Sequence, residues 1–365
     1  MRVKLSDITE YSKGVQINGD DLIENGEFIY LNGGINPSGR WDSTNVPGNT
    51  VTISEGGNSS GYVNYISEPF WCGAHCYYLY GGPKNSKYLY YALKSQQDRL
   101  FSIRSGACMP NIKKTDLGNF EFEFDSDENR QNEVVSVLTK VESVIVERKK
   151  ELNLLDELIK ARFVEMFGIP IDRAKANMKF TDCVDFNPKK SEIKDLQDVE
   201  VSFVPMECVG VDGSFTIREN GPVSSYYKGY TYFRDGDVLL AKITPCFENG
   251  KAAIAEGCKN GIGFGTTEFH VARPKEGVSN SYWIKYMLKN DTVHDLATIN
   301  MTGSAGQKRI QTPFFEKLTI FCPPIELQNQ FAEFVKQVDK SKVVVKKALD
   351  EAQILFDSLM QEYFG

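Results

Sequence analysis

The chain has 365 residues, with 42 Lys and Arg against 49 Asp and Glu, for a formal net charge of −7. A composition 41% hydrophobic and 25% charged is ordinary for a globular protein, and the length is past the size at which one core keeps growing, so two or more domains are expected. No apolar run approaches the ~20 residues that cross a bilayer, eight scattered cysteines make no disulfide framework, the start Met1–Leu5 lacks a signal-peptide core, and the acidic balance weighs mildly against a phosphate binder. A cytoplasmic protein with no membrane contact is expected.

In chain order, Glu27–Leu31 and Thr50–Ile53 read as short strands with Gly-rich turns between them. Trp71, Cys72, His75 and Cys76 fall close together. Zinc wants four ligands, usually as two spaced pairs, and no matching second pair follows. Small residues buried on a strand are expected there, with no metal. Tyr88–Lys94 reads as a short amphipathic helix.

From Gln131 to Gly168 there is no Pro and no internal Gly. Val134, Leu138, Val141, Ile145, Arg148, Leu152, Leu155, Ile159, Arg162 and Met166 step by alternating four and three. That is a heptad seam over about five heptads, the pattern of a coiled coil, in a rod of roughly 57 Å. Beyond it, Val199–Val204, Val238–Lys242 and Phe269–Val271 read as strands and Tyr282–Lys289 as a helix.

Gln328–Gly365 then repeats Gln131–Gly168 without a gap: both open on Gln-Asn, carry a Lys-Lys pair and close on Phe-Gly. Its seam is Phe331, Val335, Val338, Lys342, Val345, Leu349, Ala352, Phe356, Leu359 and Tyr363. The polar breaks (Arg148 and Arg162 against Lys342) fall at different places, as suits two helices whose register is set on each other. Fainter echoes join the segments before the helices: His75 with His270, Leu93 with Leu288, and Ala107–Phe122 with Ala305–Ile320. The expected fold is α+β. Two globular α/β heads are joined by two long helices in an antiparallel coiled coil, as a pseudo-twofold internal repeat. The expected boundaries are residues 1–125, 126–168, 169–323 and 324–365.

Residues for catalysis are not evident. Gly261, Gly263 and Gly265 precede a strand, whereas a cofactor loop follows a strand and opens a helix. Asn187-Pro188-Lys189 and Thr312-Pro313-Phe314 lack the second proline of a base-methylation motif, and the three histidines have no nearby nucleophile.

Three stretches carry a family resemblance. Gly236–Lys251, with Ala241-Lys242-Ile243-Thr244-Pro245 inside it, looks like the strand and loop of a target-recognition domain. Thr302–Ile310 is similar to a loop near the end of such a domain, and Pro323–Gln328 resembles the approach to a spacer helix. Taken with the layout, the chain resembles the specificity subunit of type I restriction–modification systems over essentially its whole length. The first head departs from the pattern: Cys108–Ile112 replaces the Gly306–Ile310 run, and Ser126–Gln131 lacks the Pro-Pro.

The resemblance implies a non-catalytic protein that reads double-stranded DNA. Each head would read one half of a split site, and the helices would hold the heads apart. Two methyltransferase subunits, which methylate adenine, and endonuclease/translocase subunits would be partners. S-adenosylmethionine, Mg and ATP would belong to those partners, with no cofactor bound by this chain. DNA readers need cations, amides and hydroxyls on exposed loops. In the second head these are Lys242, Thr244, Asn249 and Lys251 on one loop, Gln307, Lys308 and Arg309 on another, and Tyr226, Tyr227 and Lys228. In the first head they are Asn36, Ser38, Arg40 and Trp41, then Asn58 and Ser59, then Lys113 and Lys114. Two other readings fit the same residues: the recognition half of a fused restriction–methylation enzyme, and a coiled-coil scaffold that never touches DNA.

Overall fold

A computed structural model describes residues 1–106, 108–304 and 306–365; Ala107 and Ala305, which open the echoed segments of the two heads, lie outside the described residues. The chain forms two compact units, Met1–Lys149 with Lys346–Gly365, and Lys150–Val345. The division runs through both long helices, the central helix Glu128–Phe167 and the C-terminal helix Ile325–Phe364. Each unit therefore holds one head and a stretch of each helix. Among the described residues no helix is long and apolar enough to cross a membrane.

Unit one is built on a four-stranded antiparallel sheet, in the order Glu10–Lys13, Cys76–Tyr80, Thr50–Ser54, Val63–Ile66. Thr50–Ser54 is buried along its whole length, which its alternating Thr, Val and Ile suit. A smaller sheet pairs Phe28–Leu31 antiparallel with Gly39–Trp41 and parallel with Trp71–Cys72. The helix Ser86–Ser95 buries Leu89, Tyr91, Ala92 and Leu93. Asn85 caps it by accepting the N–H of Tyr88 at 3.0 Å. Val51, Ile53, Tyr77, Leu93, Val134, Leu138 and Phe364 share one core.

Unit two repeats this plan. Its antiparallel sheet runs Val184–Phe186, Phe269–Pro274, Val238–Ala241, Ala252–Ile254. A second sheet orders Glu219–Pro222, Glu200–Val204, Ile262–Gly265 and Thr231–Arg234, with Glu200–Val204 and Ile262–Gly265 parallel. The helix Ser281–Leu288 is capped by Asn280, which accepts the N–H of Trp283 at 2.9 Å. Leu93 and Leu288 occupy the same place on the two head helices, both buried.

Every expected seam position is buried or half-buried. The seam has two partners, however. In unit two Phe331 packs edge-on against Phe163 at 5.4 Å and Lys342 pairs with Asp156, so the two helical stretches run antiparallel. Phe331, Val335 and Val338 also belong to the head's core with Trp283 and Phe315. In unit one Arg130, near the start of the central helix, lies 5.5 Å from the ring of Tyr363, near the end of the C-terminal helix.

The Gln-Asn that opens each repeat locks helix to head. Gln131 donates to Asp125 O at 2.6 Å; Gln328 donates to Pro323 O at 2.8 Å and Val278 O at 2.9 Å. Both glutamines are buried, where an unpaired amide would be costly. The partner asparagines, Asn132 and Asn329, accept from the capping Asn85 and Asn280.

Three expectations change. Gly261–Gly265 precedes the strand Phe269–Pro274 as expected, but it is not a loop: it largely forms a strand itself, Ile262–Gly265. A Cβ at Gly263 would lie 2.1 Å from the Phe233 ring and one at Gly265 2.7 Å from Val204 O, so these two glycines serve close packing. The Trp71–Cys76 run is not one strand. It turns between Trp71–Cys72 and Cys76–Tyr80, which puts His75 on an exposed turn. His75 and His270 are not equivalent either. Cys76 faces Ser54 where Phe269 faces Ala241, so the counterpart of His75 is Glu268.

Candidate nucleic-acid interface

In unit two the central strand Val238–Ala241 ends at Lys242, and two loops are sewn together beyond it. Ile310 N–H donates to Lys242 O at 2.9 Å, Thr244 N–H to Lys308 O at 2.9 Å, and Thr302 and Arg309 exchange backbone bonds at 3.0 and 2.8 Å. Lys242, Thr244, Gln307, Lys308 and Arg309, far apart in sequence, thus form one cluster. Gln307 and Lys308 are exposed. Arg309 is committed inside the protein: its guanidinium grips the Glu268 carboxylate with contacts of 2.9 and 3.1 Å, which raises its pKa further. The Thr244 hydroxyl is buried with no hydrogen-bond partner.

Lys242 is half-buried, and its ammonium makes no hydrogen bond or ion pair among the described residues. Burial pushes its pKa down, opposed by the Glu268 charge and reinforced by Arg309. Beneath the cluster His270 donates from Nε2 to Ile310 O at 3.0 Å, and its Nδ1 lies 3.2 Å from the amide of Asn187. Burial pushes the imidazole down to about 4, against the pull of the Ile310 carbonyl.

The other second-head residues lie elsewhere. Lys251 donates to Met206 O at 3.2 Å. Asn249 is exposed on a cleft of about 680 Å³, lined also by Asp156 and Lys160 of the central helix and by Lys289 and His294. Burial, then the neighbouring Lys285 charge, lowers Lys289 to about 8. Tyr226 stacks on Phe203 at 5.0 Å with rings 5° apart, against the second sheet. Lys190 donates to Tyr227 O at 2.6 Å, and Lys228 is exposed.

Unit one has the same slot at the end of Thr50–Ser54, occupied by Glu55. Ile112 N–H donates to Glu55 O at 2.9 Å, and Ser105 and Asn111 exchange backbone bonds at 2.8 and 2.9 Å. The Glu55 carboxylate takes Lys13 Nζ at 2.8 Å and lies 3.3 Å from His75 Nδ1. Partial burial raises its pKa, but the hydrogen bonds from Lys13 and His75 prevail and hold it below the usual range. Ser59 is tied to Gly33 O at 2.6 Å, which draws the Gly33–Asn36 turn to the Asn58 loop. Asn36, Ser38, Asn58, Lys113 and Lys114 are exposed. Arg40 is spent on the carbonyls of Gly26 and Glu27, and Trp41 packs edge-on against Trp71 at 6.4 Å.

Glu55, His75, Arg104 and Glu268 were not expected at the site. Arg104 bonds Asn58 O at 3.4 Å and lies 3.9 Å over the Phe101 ring, with its Nε buried and unpartnered. No local motif marks these residues; only aligning the strands Thr50–Ser54 and Val238–Ala241 would have found Glu55. Cys72 and Cys76 direct their thiols at carbonyls, and among the described residues no group of three or more His, Cys, Asp or Glu could hold a metal.

The family described as the type I restriction modification DNA specificity domain matches residues 1–156 and 215–352. The chain is 41% identical over 188 residues to the type I restriction enzyme EcoAI specificity subunit of Escherichia coli, covering 49% of this chain and 31% of that protein. It is 42% identical over 182 residues to the EcoEI specificity subunit of the same organism, covering 48% and 30%. The matches span about a third of these relatives' own length. The crystal structure of a type I restriction–modification S subunit from M. genitalium aligns with a TM-score of 0.63 at 19% identity, over 100% of this chain and 96% of that one. At that identity the likeness is one of fold.

Proposed function

Because the chain belongs to the type I restriction–modification DNA specificity family, we propose that it is the DNA-reading subunit of such a system. Each head reads one half of a bipartite site on double-stranded DNA, and the two long helices set the unread spacer. Two methyltransferase subunits dock on the chain and methylate adenine with S-adenosylmethionine. Endonuclease/translocase subunits add cleavage with Mg and ATP. The chain itself binds and positions, and performs no bond chemistry.

The observation that carries this reading is the duplicated loop cluster. In both units a central strand ends in the same slot, stitched to the same back-paired turn, with exposed amides and cations around it. Phosphate contacts would hold the duplex, and base-edge contacts would select it. A protein with an overall charge of −7 must concentrate its cations locally for this, as at Lys113 with Lys114 and at Lys242 with Lys308.

The test is duplex binding by the chain co-purified with its methyltransferase, over a series of salt concentrations. Affinity should fall steeply with salt, as counterions released from phosphates require. Methylated adenines should map to a two-part motif, and one heptad inserted in both helices should lengthen the spacer. Salt-independent binding, or none, would sink the reading in favour of a scaffold.

A further inference from the structure

Glu55 and Lys242 fill one slot with opposite charge. Lys242 N–H donates to Glu268 O at 2.9 Å and its carbonyl takes the N–H of Ile310 at 2.9 Å; Glu55 N–H donates to His75 O at 2.8 Å and its carbonyl takes the N–H of Ile112 at 2.9 Å. Each slot directly follows the central strand of its sheet. Across it the neighbour is exchanged as well, Glu268 beside Lys242 and His75 beside Glu55. Two diverged copies of one head thus keep the backbone and reverse the chemistry.

The side chains differ in what they can still bind. The Lys242 ammonium, half-buried, has no hydrogen-bond or ion-pair partner among the described residues, since Arg309 takes the Glu268 carboxylate. A partly desolvated cation without a partner is stabilised by any acceptor that reaches it. The Glu55 carboxylate holds Lys13 through one oxygen and His75 through the other, and each oxygen has lone pairs to spare. An ionised carboxylate repels phosphate and accepts hydrogen bonds only, so any direct hydrogen bond it makes to duplex DNA comes from a base donor.

We propose that Glu55 and Lys242 are the equivalent specificity-determining residues of the two heads: Lys242 donates to the O6/N7 edge of a guanine in one half-site, and Glu55 accepts from the N4 amino group of a cytosine in the other. These are the pairings that the major-groove edges of the two bases offer to an ammonium and a carboxylate. The assignment rests on the DNA-reading function proposed above.

The experiment is selection from a random-sequence duplex pool by the chain with its methyltransferase subunit, for the unaltered chain and for Glu55→Gln, Lys242→Met and Lys242→Arg. Glu55→Gln should weaken one cytosine preference roughly tenfold or more and move it towards adenine, which a glutamine amide reads. Lys242→Met should relax one guanine in the other half by a similar factor, and Lys242→Arg should keep it. Unchanged motifs, or affinity that falls evenly over all sequences, would overturn the assignment and make Lys242 a phosphate contact and Glu55 a structural ion pair. A substitution that unfolds the chain without Arg at 242 restoring the guanine preference would overturn it too. An unaltered complex that enriches no sequence would instead overturn the DNA-reading function.

Discussion

Asn280 donates its side-chain amide to Oδ1 of Asn329 at 3.0 Å while its own Oδ1 accepts the N–H of Trp283 at 2.9 Å. One residue therefore caps the head helix and ties it to the C-terminal helix. Asn85 does the same in unit one, with Tyr88 and Asn132. The orientation of each head on its helix rests on such polar locks as well as on the apolar core.

Asn280→Ala should destabilise the protein by about 1–2 kcal/mol, the usual cost of a lost cap. Asn280→Asp keeps the cap acceptor, loses the donor to Asn329, and should fall between. Urea midpoints of the three proteins check this; equal losses for Ala and Asp would show that the tether, not the cap, matters.

Gln328→Leu should cost about 2–3 kcal/mol, because it strands the carbonyls of Val278 and Pro323 and the N–H of Asn280 in a buried site. Gln131→Leu strands the Asp125 carbonyl and should cost less. Chemical denaturation of the two variants, side by side, tests the ranking.

His270 should make stability fall in mild acid. Its folded pKa is depressed to about 4 from 6.5, so the unfolded chain takes up its proton first as pH drops. Stability is full above about pH 6.5 and declines towards pH 4, by about 3 kcal/mol in all for this group. The charges of Lys242 and Glu268 also act on the imidazole, the first lowering and the second raising its pKa. The quantity to measure is therefore the difference in urea midpoint between the unaltered chain and His270→Gln from pH 7 to pH 4, which should shrink or reverse with acid. A constant difference would refute the prediction.

Lys342 is the polar break in the second seam, held by Asp156 and by Asp339 at 3.6 Å. The double change Lys342→Met with Asp156→Leu should leave stability unchanged or raise it by about 1 kcal/mol, since apolar side chains then replace both members of a half-buried ion pair. Asp156→Ala should destabilise, because it leaves the ammonium short of a partner. Thermal melts of both variants distinguish an ion pair that stabilises from one that serves register.

Much of the scaffold was legible from local pattern. The helices Glu128–Phe167 and Ile325–Phe364 follow from a repeat free of proline and a seam that steps by three and four. The strands Thr50–Ser54 and Val238–Ala241 and the helices Ser86–Ser95 and Ser281–Leu288 form where expected, within a residue or two at their ends. The small sheets were not legible, because strands such as Gly39–Trp41 and Trp71–Cys72 are too short to show a period.

By itself, then, the amino-acid sequence determined the duplication, the long helices and their buried faces, since these depend on residue spacing within one element. Only the tertiary structure decided which side chains share a site. Lys242 and Arg309 meet through bonds between segments over sixty residues apart, Glu55 and Lys242 become equivalent through strand pairing alone, and Arg40, Arg309 and Lys251 are occupied by partners that no local pattern names. Hydrogen bonds between distant segments leave no periodic trace in the chain, so a cation's freedom to meet a ligand is settled only when the fold assigns its neighbours.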